Sequence, residues 1–264
     1  MLISIIIPTY NRASFLLETV NSILEQTYEN YEIIIVSDGS TDNTKEKVSK
    51  LIDSRIRFLE LDRNYGYPAK ARNEGVNISN GEFISFCDDD DLWERDKLEK
   101  QMKMVNLGYN FIFTNFKFLE GSKRFVYEIY LKYVVSFIIN QINNKISYLF
   151  LSLTNPIINS SVLVNKKLIS KVKFNESVLF RASEDYQVWI QIFSAAKPFY
   201  LKKELVKYRV HENNISSDFY KNLKRCLLVM KDFNALNNIQ RIFKIMGVTF
   251  YWFRSLLYSL FNKI

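Results

Sequence analysis

The chain has 264 residues, 48% of them hydrophobic, 24% charged and 15% aromatic, with only 7 Gly and 4 Pro. That composition is enough for a buried core and excludes a disordered or low-complexity polymer. The formal net charge of +8 fits an anionic partner, whether nucleotide substrate, nucleic acid or acidic lipid, without choosing among them. Cys87 and Cys226 stand alone in unlike surroundings, which excludes a disulfide framework or a CxxC centre and fits a reducing compartment.

The start, MLISIIIPTY, has no basic leader and breaks at Pro8, so it reads as a first strand over residues 3–7 rather than a signal peptide. Phe15, Leu16, Val20, Ile23 and Leu24 follow at helical spacing. Three more short β-branched or aromatic runs, at 31–37, 56–61 and 82–87, alternate with polar helical segments. This alternation predicts an α/β fold with a mostly parallel sheet flanked by helices, joined by right-handed crossovers. Ligands in such sheets sit at the carboxyl ends of the strands. The polar clusters fall there: PTYNR after the first strand, DGSTDNT after the second, DRNYGYPAKARN after the third and DDDD after the fourth. All four are expected on one edge.

Residues 1–110 therefore form a first half that carries the ligand-binding edge in this reading. Beyond them FIFTNFKFL, an aromatic and lysine-spotted stretch to about residue 153, NPIINSSVLVNKKLI and SEDYQVWIQIF read as a second half of the same domain, residues 111–220, which completes the cleft and carries the acceptor side. Residues 221–264 form a basic, partly amphipathic helical extension. Lys244 and Arg254 interrupt its apolar residues, so it lacks the roughly 18–20 residues needed to span a bilayer. It is expected to lie on an anionic membrane surface, with Phe250, Trp252, Phe253, Leu256 and Leu257 embedded. A helix packed on the core, or a homodimer contact, is the alternative.

The four aspartates of GEFISFCDDDDLW end a buried run, where adjacent carboxylates repel one another unless a cation or solvent compensates. Two carboxylates one residue apart suit Mg²⁺ or Mn²⁺ held jointly with substrate phosphates. Asp88 and Asp90 are the candidate pair, with Asp89 and Asp91 supporting them or starting the helix LWERDKLEKQMKMV, which Asp91 could cap. Taken alone, an acidic pair at a strand end is more often a loop cap. Asp38 and Gly39 after the second strand suit hydrogen bonding to a base or ribose and a close chain turn. Neither GxGxxG nor GxxxxGK[ST] occurs, so phosphate charge falls to a metal and to basic side chains such as Lys70 and Arg72.

In order, SIIIPTYNR, IIIVSDGSTDNT, ARNEGVNISNGEFISFCDDDDLW and SEDYQVWIQI resemble the successive motifs of the family 2 glycosyltransferases, over about residues 1–215. The resemblance implies a GT-A fold and inverting sugar transfer from a nucleotide sugar. It implies that Pro8, Thr9, Tyr10 and Asn11 line the nucleotide pocket, that Asp38 meets the base, and that Asp88 addresses the ribose side, with Asp89 beside it. Asp90 would ligate Mn²⁺ or Mg²⁺ on the diphosphate, and Lys70 and Arg72 would hold the nucleotide side. Asp185 falls where the family has its catalytic base, with Glu184 orienting it or holding the acceptor. His211, in YRVHENNIS, resembles a late R-x-H motif that completes the metal site.

Two departures stand out: Ser37 replaces the first of two aspartates common in the family, and Cys87 replaces a large aliphatic residue. No QxxRW motif of processive synthases is present, which implies one sugar per encounter. The implied donor is a UDP-sugar, glucose or galactose, and the product β-linked. The implied acceptor is a glycan or polyprenyl-diphosphate-linked saccharide of O-antigen or capsule assembly, met at the cytoplasmic face of the membrane. Three competing classes fit less well. A DxD phosphotransferase would need Thr or Val at Leu92, and a nucleotidyltransferase would need glycines in the first loop. A non-catalytic carbohydrate-binding relative would not need the base candidates. Nucleic-acid binding has no motif beyond the charge.

Overall fold

The computed structural model describes residues 1–119, 155, 157–209, 211 and 229. β1 (Ile3–Thr9) and β2 (Tyr31–Ser37) are buried along their whole length, as continuous apolar runs must be when helices cover both faces of a sheet. With β3 (Ile56–Glu60) and β4 (Phe83–Phe86) they form a parallel set in the order β3-β2-β1-β4. The connecting helices are α1 (Ala13–Leu24), α2 (Thr44–Ser49) and α3 (Ala69–Ile78). The chain steps outward from β1 to β3 and then returns to the other side of β1 for β4. This reversal of direction opens a crevice at the carboxyl ends of β1 and β4, where open α/β sheets bind ligands.

The same sheet continues beyond β4 through β7 (Leu163–Asn165), β6 (Phe111–Phe118), β8 (Pro198–Tyr208) and β5 (Leu92–Trp93), giving eight strands among the described residues. β7 runs antiparallel to β4 and β6, β8 runs parallel to β6, and β5 pairs antiparallel with β8. Further helices among the described residues are α4 (Lys97–Asn106), α5 (Lys166–Ile169) and α6 (Glu184–Ala195). The expected α/β architecture is therefore present. The helix expected from Leu92 starts later: Leu92 and Trp93 pair with Lys207 and Val206, α4 begins after Asp96, and Asp91 is not its cap. Segment 120–154 and the tail 221–264, apart from the buried Val229, lie outside the described residues. No helix among the described residues is long and apolar enough to cross a membrane.

Two packing features join the halves. Trp189 of α6 is fully buried against Phe86, Phe111 and Phe174, with ring centroids 6.0, 5.6 and 6.0 Å away. Such aromatic pairs contribute about 0.5–1.5 kcal/mol each beyond simple burial, so α6 is held firmly over the end of β4. The second is α3, which lies close on β1 because residue 75 is glycine: a Cβ there would come within 2.5 Å of Ile6 Cγ2. Two residues earlier, Asn73 clamps the second half by donating to the Phe174 carbonyl and accepting from the Phe174 N–H, both at 2.9 Å.

Candidate active site

The expected convergence holds: the ends of β1, β2 and β4 meet at the crevice, and loops from the second half close over it. Thr9, at the end of β1, donates its hydroxyl to Asp89 at 2.7 Å. Pro8 is buried, whereas Tyr10 is 40% exposed at the cleft mouth. Asn11 takes a positive φ of 51°. Its side-chain oxygen accepts the backbone N–H groups of Thr41 and Asp42 at 2.7 and 3.2 Å, which fastens the loop after β1 to the loop after β2.

Asp38 and Gly39 serve the same end. The Asp38 carboxylate accepts the backbone N–H groups of Tyr65 and Gly66 at 3.0 and 3.1 Å. Gly39, at φ 66°, lies so close to Arg63 that a Cβ would meet its carbonyl carbon at 2.5 Å. The close approach permitted by this glycine is to the chain's own loop between β3 and α3. Lys70 lies on the surface, paired with Glu74 at 2.7 Å.

The four aspartates form a turn tied down from every side. Thr19 of α1 donates its hydroxyl to the carbonyls of Asp89 and Asp91, at 3.0 and 2.8 Å. Ser160 accepts the Asp88 N–H at 3.0 Å and donates to the Asp91 carboxylate at 2.5 Å. Arg209 donates its side chain to the Asp90 carbonyl at 2.9 Å and its backbone N–H to the Asp91 carboxylate at 3.1 Å. Arg12 supplies the nearest positive charge, with one guanidinium nitrogen 2.7 Å from Asp90 and 3.1 Å from Asp89. Burial, with repulsion from Asp90, pushes Asp89 up to about 7, and burial also pushes Asp91 well up. Not all four need be ionised at neutral pH.

Asp90 also meets the imidazole of His211, with Nε2 2.9 Å from Oδ2. That ring stacks on Phe15 at 5.5 Å, and Arg209 lies over the other part of the same platform at 4.8 Å. No group of three or more His, Cys, Asp or Glu among the described residues is arranged to hold a metal by itself. A carboxylate oxygen and an imidazole nitrogen side by side nevertheless fit Mg²⁺ or Mn²⁺, since such ions commonly take their remaining ligands from substrate phosphates and water.

Across the crevice, α6 begins with Glu184 and Asp185, after Ser183 and a turn at Ala182 with φ 63°. Asp185 is half-buried, accepts the Tyr186 N–H at 2.6 Å and receives the Asn155 amide at 3.5 Å. Burial first, then the neighbouring Glu184, pushes its carboxyl up to about 7. Arg72 links the two sides: one terminal nitrogen is 2.7 Å from Asp88 and the other 2.8 Å from Glu184. Its guanidinium sits over the Phe174 ring at 5.5 Å. Arg72 and Glu184 are both almost completely buried.

The site thus gathers Thr9, Asp88, Asp89, Asp90, Arg72, Glu184, Asp185 and His211, while Lys70, Asn11 and Asp38 hold or flank its loops. Sequence reasoning missed Arg12, Thr19, Asn73 and Ser160. Arg12 and Asn73 lie inside the motifs PTYNR and ARNEG. Thr19 reads as an ordinary helix residue and Ser160 as a loop residue, so neither carries a sequence signal.

The model of the family "Glycosyl transferase family 2" matches residues 4–163. A UDP-Glc:alpha-D-GlcNAc-diphosphoundecaprenol beta-1,3-glucosyltransferase of Escherichia coli, WfgD, is 32% identical over 249 residues, 93% of this chain and 91% of that one. A second Escherichia coli protein with the same described activity, WfaP, is 32% identical over 87% of this chain and 86% of its own length. Among solved structures, S. aureus TarS (residues 1–349) in complex with UDP-GlcNAc aligns with a TM-score of 0.73 at 20% identity, over 94% of this chain and 72% of that one, a likeness of fold. By sequence and by fold, the chain belongs to glycosyltransferase family 2.

Proposed function

We propose that this glycosyltransferase moves one glucose from UDP-glucose, with inversion, to a polyprenyl-diphosphate-linked saccharide, giving a β linkage. The observation that carries the mechanism is the pair of acidic centres on opposite sides of one crevice. One of them, Asp90, is flanked by cationic and imidazole groups. The other, Asp185, forms no ion pair among the described residues and has a carboxyl raised to about 7. The choice of glucose and of a diphospho-lipid acceptor rests on the described activities of the two Escherichia coli relatives.

In this mechanism Pro8, Thr9, Tyr10 and Asn11 line the nucleotide side, with Tyr10 exposed at the mouth to meet the base. Asp38 fixes the loop around Tyr65 that borders the base pocket, and Asp88 faces the ribose. Asp90 and His211 would hold a divalent ion, which supplies neutralisation of the negative charge that builds on the departing diphosphate. Asp185 takes the proton of the attacking acceptor hydroxyl, a task suited to a carboxyl titrating near neutral pH. Attack from the face opposite the leaving group inverts the anomeric carbon.

The basic tail 221–264 would hold the chain at the inner face of the cytoplasmic membrane, close to a lipid-borne acceptor. Loss of anionic-liposome binding on deleting that tail tests this part.

The decisive experiment incubates the full chain with radiolabelled UDP-glucose, Mn²⁺ and a synthetic alpha-GlcNAc-diphospho-lipid, with UDP-galactose and UDP-GlcNAc as competing donors. Transfer of glucose to give a product cleaved by a β-glucosidase supports the proposal. Transfer only from another donor, or an α-linked product, overturns it.

A further inference from the structure

Arg72 is expected from the sequence to face the nucleotide, yet its guanidinium is spent inside the protein. It is 2% exposed, and its two terminal nitrogens are committed to Asp88 and Glu184. The two carboxylates belong to different halves, Asp88 to the end of β4 and Glu184 to the first turn of α6. A forked, planar cation can hold two carboxylates in fixed relative positions, which a lysine cannot. The triad is also incomplete: Arg72 Nε and Glu184 Oε2 are buried and have no hydrogen-bond partner among the described residues. A buried ion cluster with unmet hydrogen bonds is weak as a source of stability, so stability alone does not account for it.

Its surroundings point to a task. The neighbouring Asn73 clamps Phe174 and also donates to Glu176 at 2.7 Å, so the segment ahead of α6 is fixed to α3 at two residues, Phe174 and Glu176. Glu184 is next to Asp185 in the chain. The charged groups around the Asp185 carboxyl are Glu184 on its own helix, Arg72 on α3 and Asp88 after β4, which are the three members of the triad.

We propose that Arg72 is a positioning residue that couples the donor side to the base, holding Asp88 and Glu184 in one fork and thereby setting both the place and the proton affinity of Asp185. This rests on the assignment of Asp185 as base. Glu184 raises the proton affinity of Asp185 by like charge, and Arg72 opposes it. Removing either one therefore moves Asp185 in a predictable direction, and the two directions are opposite.

The test compares Glu184→Gln with Arg72→Met in pH profiles of kcat at saturating donor and acceptor, with UDP binding in the presence of Mn²⁺ measured by calorimetry. Glu184→Gln is expected to shift the acid limb down by about half to one pH unit and Arg72→Met to shift it up by a similar amount, with UDP affinity in Glu184→Gln within about threefold of wild type. Loss of packing alone lowers kcat without moving the limb in opposite directions. If Arg72→Met does not fold, Glu184→Gln, which keeps an acceptor for Arg72, carries the test alone. An acid limb that stays in place in that variant overturns the coupling. Failure of the base assignment itself would appear separately, as an Asp185→Asn enzyme that keeps its activity.

Discussion

The two acidic centres of the crevice are built from the same side chain in opposite ways. Asp90, on the strand end of the first half, has Arg12 at 2.7 Å and His211 at 2.9 Å. Asp185, at a helix start in the second half, has a backbone N–H and a distant amide, and the guanidinium nearest it is bound to Glu184 and Asp88. Burial with Glu184 beside it makes Asp185 hold a proton more tightly, so that it can exchange one near neutral pH, whereas Asp90 has two basic side chains against its carboxylate. The proposed mechanism draws its two roles from this difference in partners.

The largest expected effect that could break this comparison is on Asp185. Asp185→Asn should lower kcat by about 10²–10⁴-fold, the usual range for loss of a general base, while UDP binding measured by calorimetry persists. The same substitution should make the fold more stable at pH 8. The folded-state carboxyl titrates near 7, above its unfolded value, so the folded state gains stability from protonation at low pH and loses it as pH rises through 7. An Asn variant melting at or below the wild-type temperature at pH 8 would remove the argument that this carboxyl is held in an unfavourable charged state.

Asp90→Asn should act differently, abolishing the Mn²⁺ dependence of UDP binding and lowering the rate by about 10²-fold or more, with the acid limb unmoved. Equal UDP binding with and without Mn²⁺ in the wild type would sink the assignment of Asp90 and His211.

The pH profile of the wild type is the next sharpening. Because the base works only when deprotonated, kcat/KM should fall about tenfold per pH unit below about 7. A profile flat down to pH 5.5 would place the base elsewhere.

The smallest expected effect belongs to Arg12, whose guanidinium lies where a cation on Asp90 would compete with it. Arg12→Gln should tighten Mn²⁺ binding in the absence of nucleotide by about threefold to tenfold, read from the paramagnetic resonance of free Mn²⁺. Unchanged or weaker binding would mean that Arg12 supports the ion rather than competing for its place.

How much of this was legible in the sequence follows from its range. The runs at residues 3–7 and 31–37 announce β1 and β2 because both faces are covered, so no polar alternation blurs the pattern. The polar clusters announce the cleft because the strand ends share one edge. Leu92 and Trp93 were unreadable as a strand: two residues have no period, and their partner lies in β8, more than a hundred residues later. Arg72 was legible as important but not in its direction, since Glu184 is 112 residues away. Thr19 and Ser160 were invisible for the same reason, as hydroxyls gain their meaning only from what the fold brings to them.

Gly75 gives this a mechanical consequence. Its missing side chain sets the distance between α3 and Ile6 of β1, and the fork of Arg72 and the clamp of Asn73 sit on the same helix within the turn before it. The seat of the helix that carries both is thus set at a core position where nothing larger than a hydrogen atom fits. A residue that wedges α3 outward would slacken the fork of Arg72, and with it the placing of the proposed base, from a position that touches no reacting group. Trimming Ile6 would be the adjustment that takes up that slack.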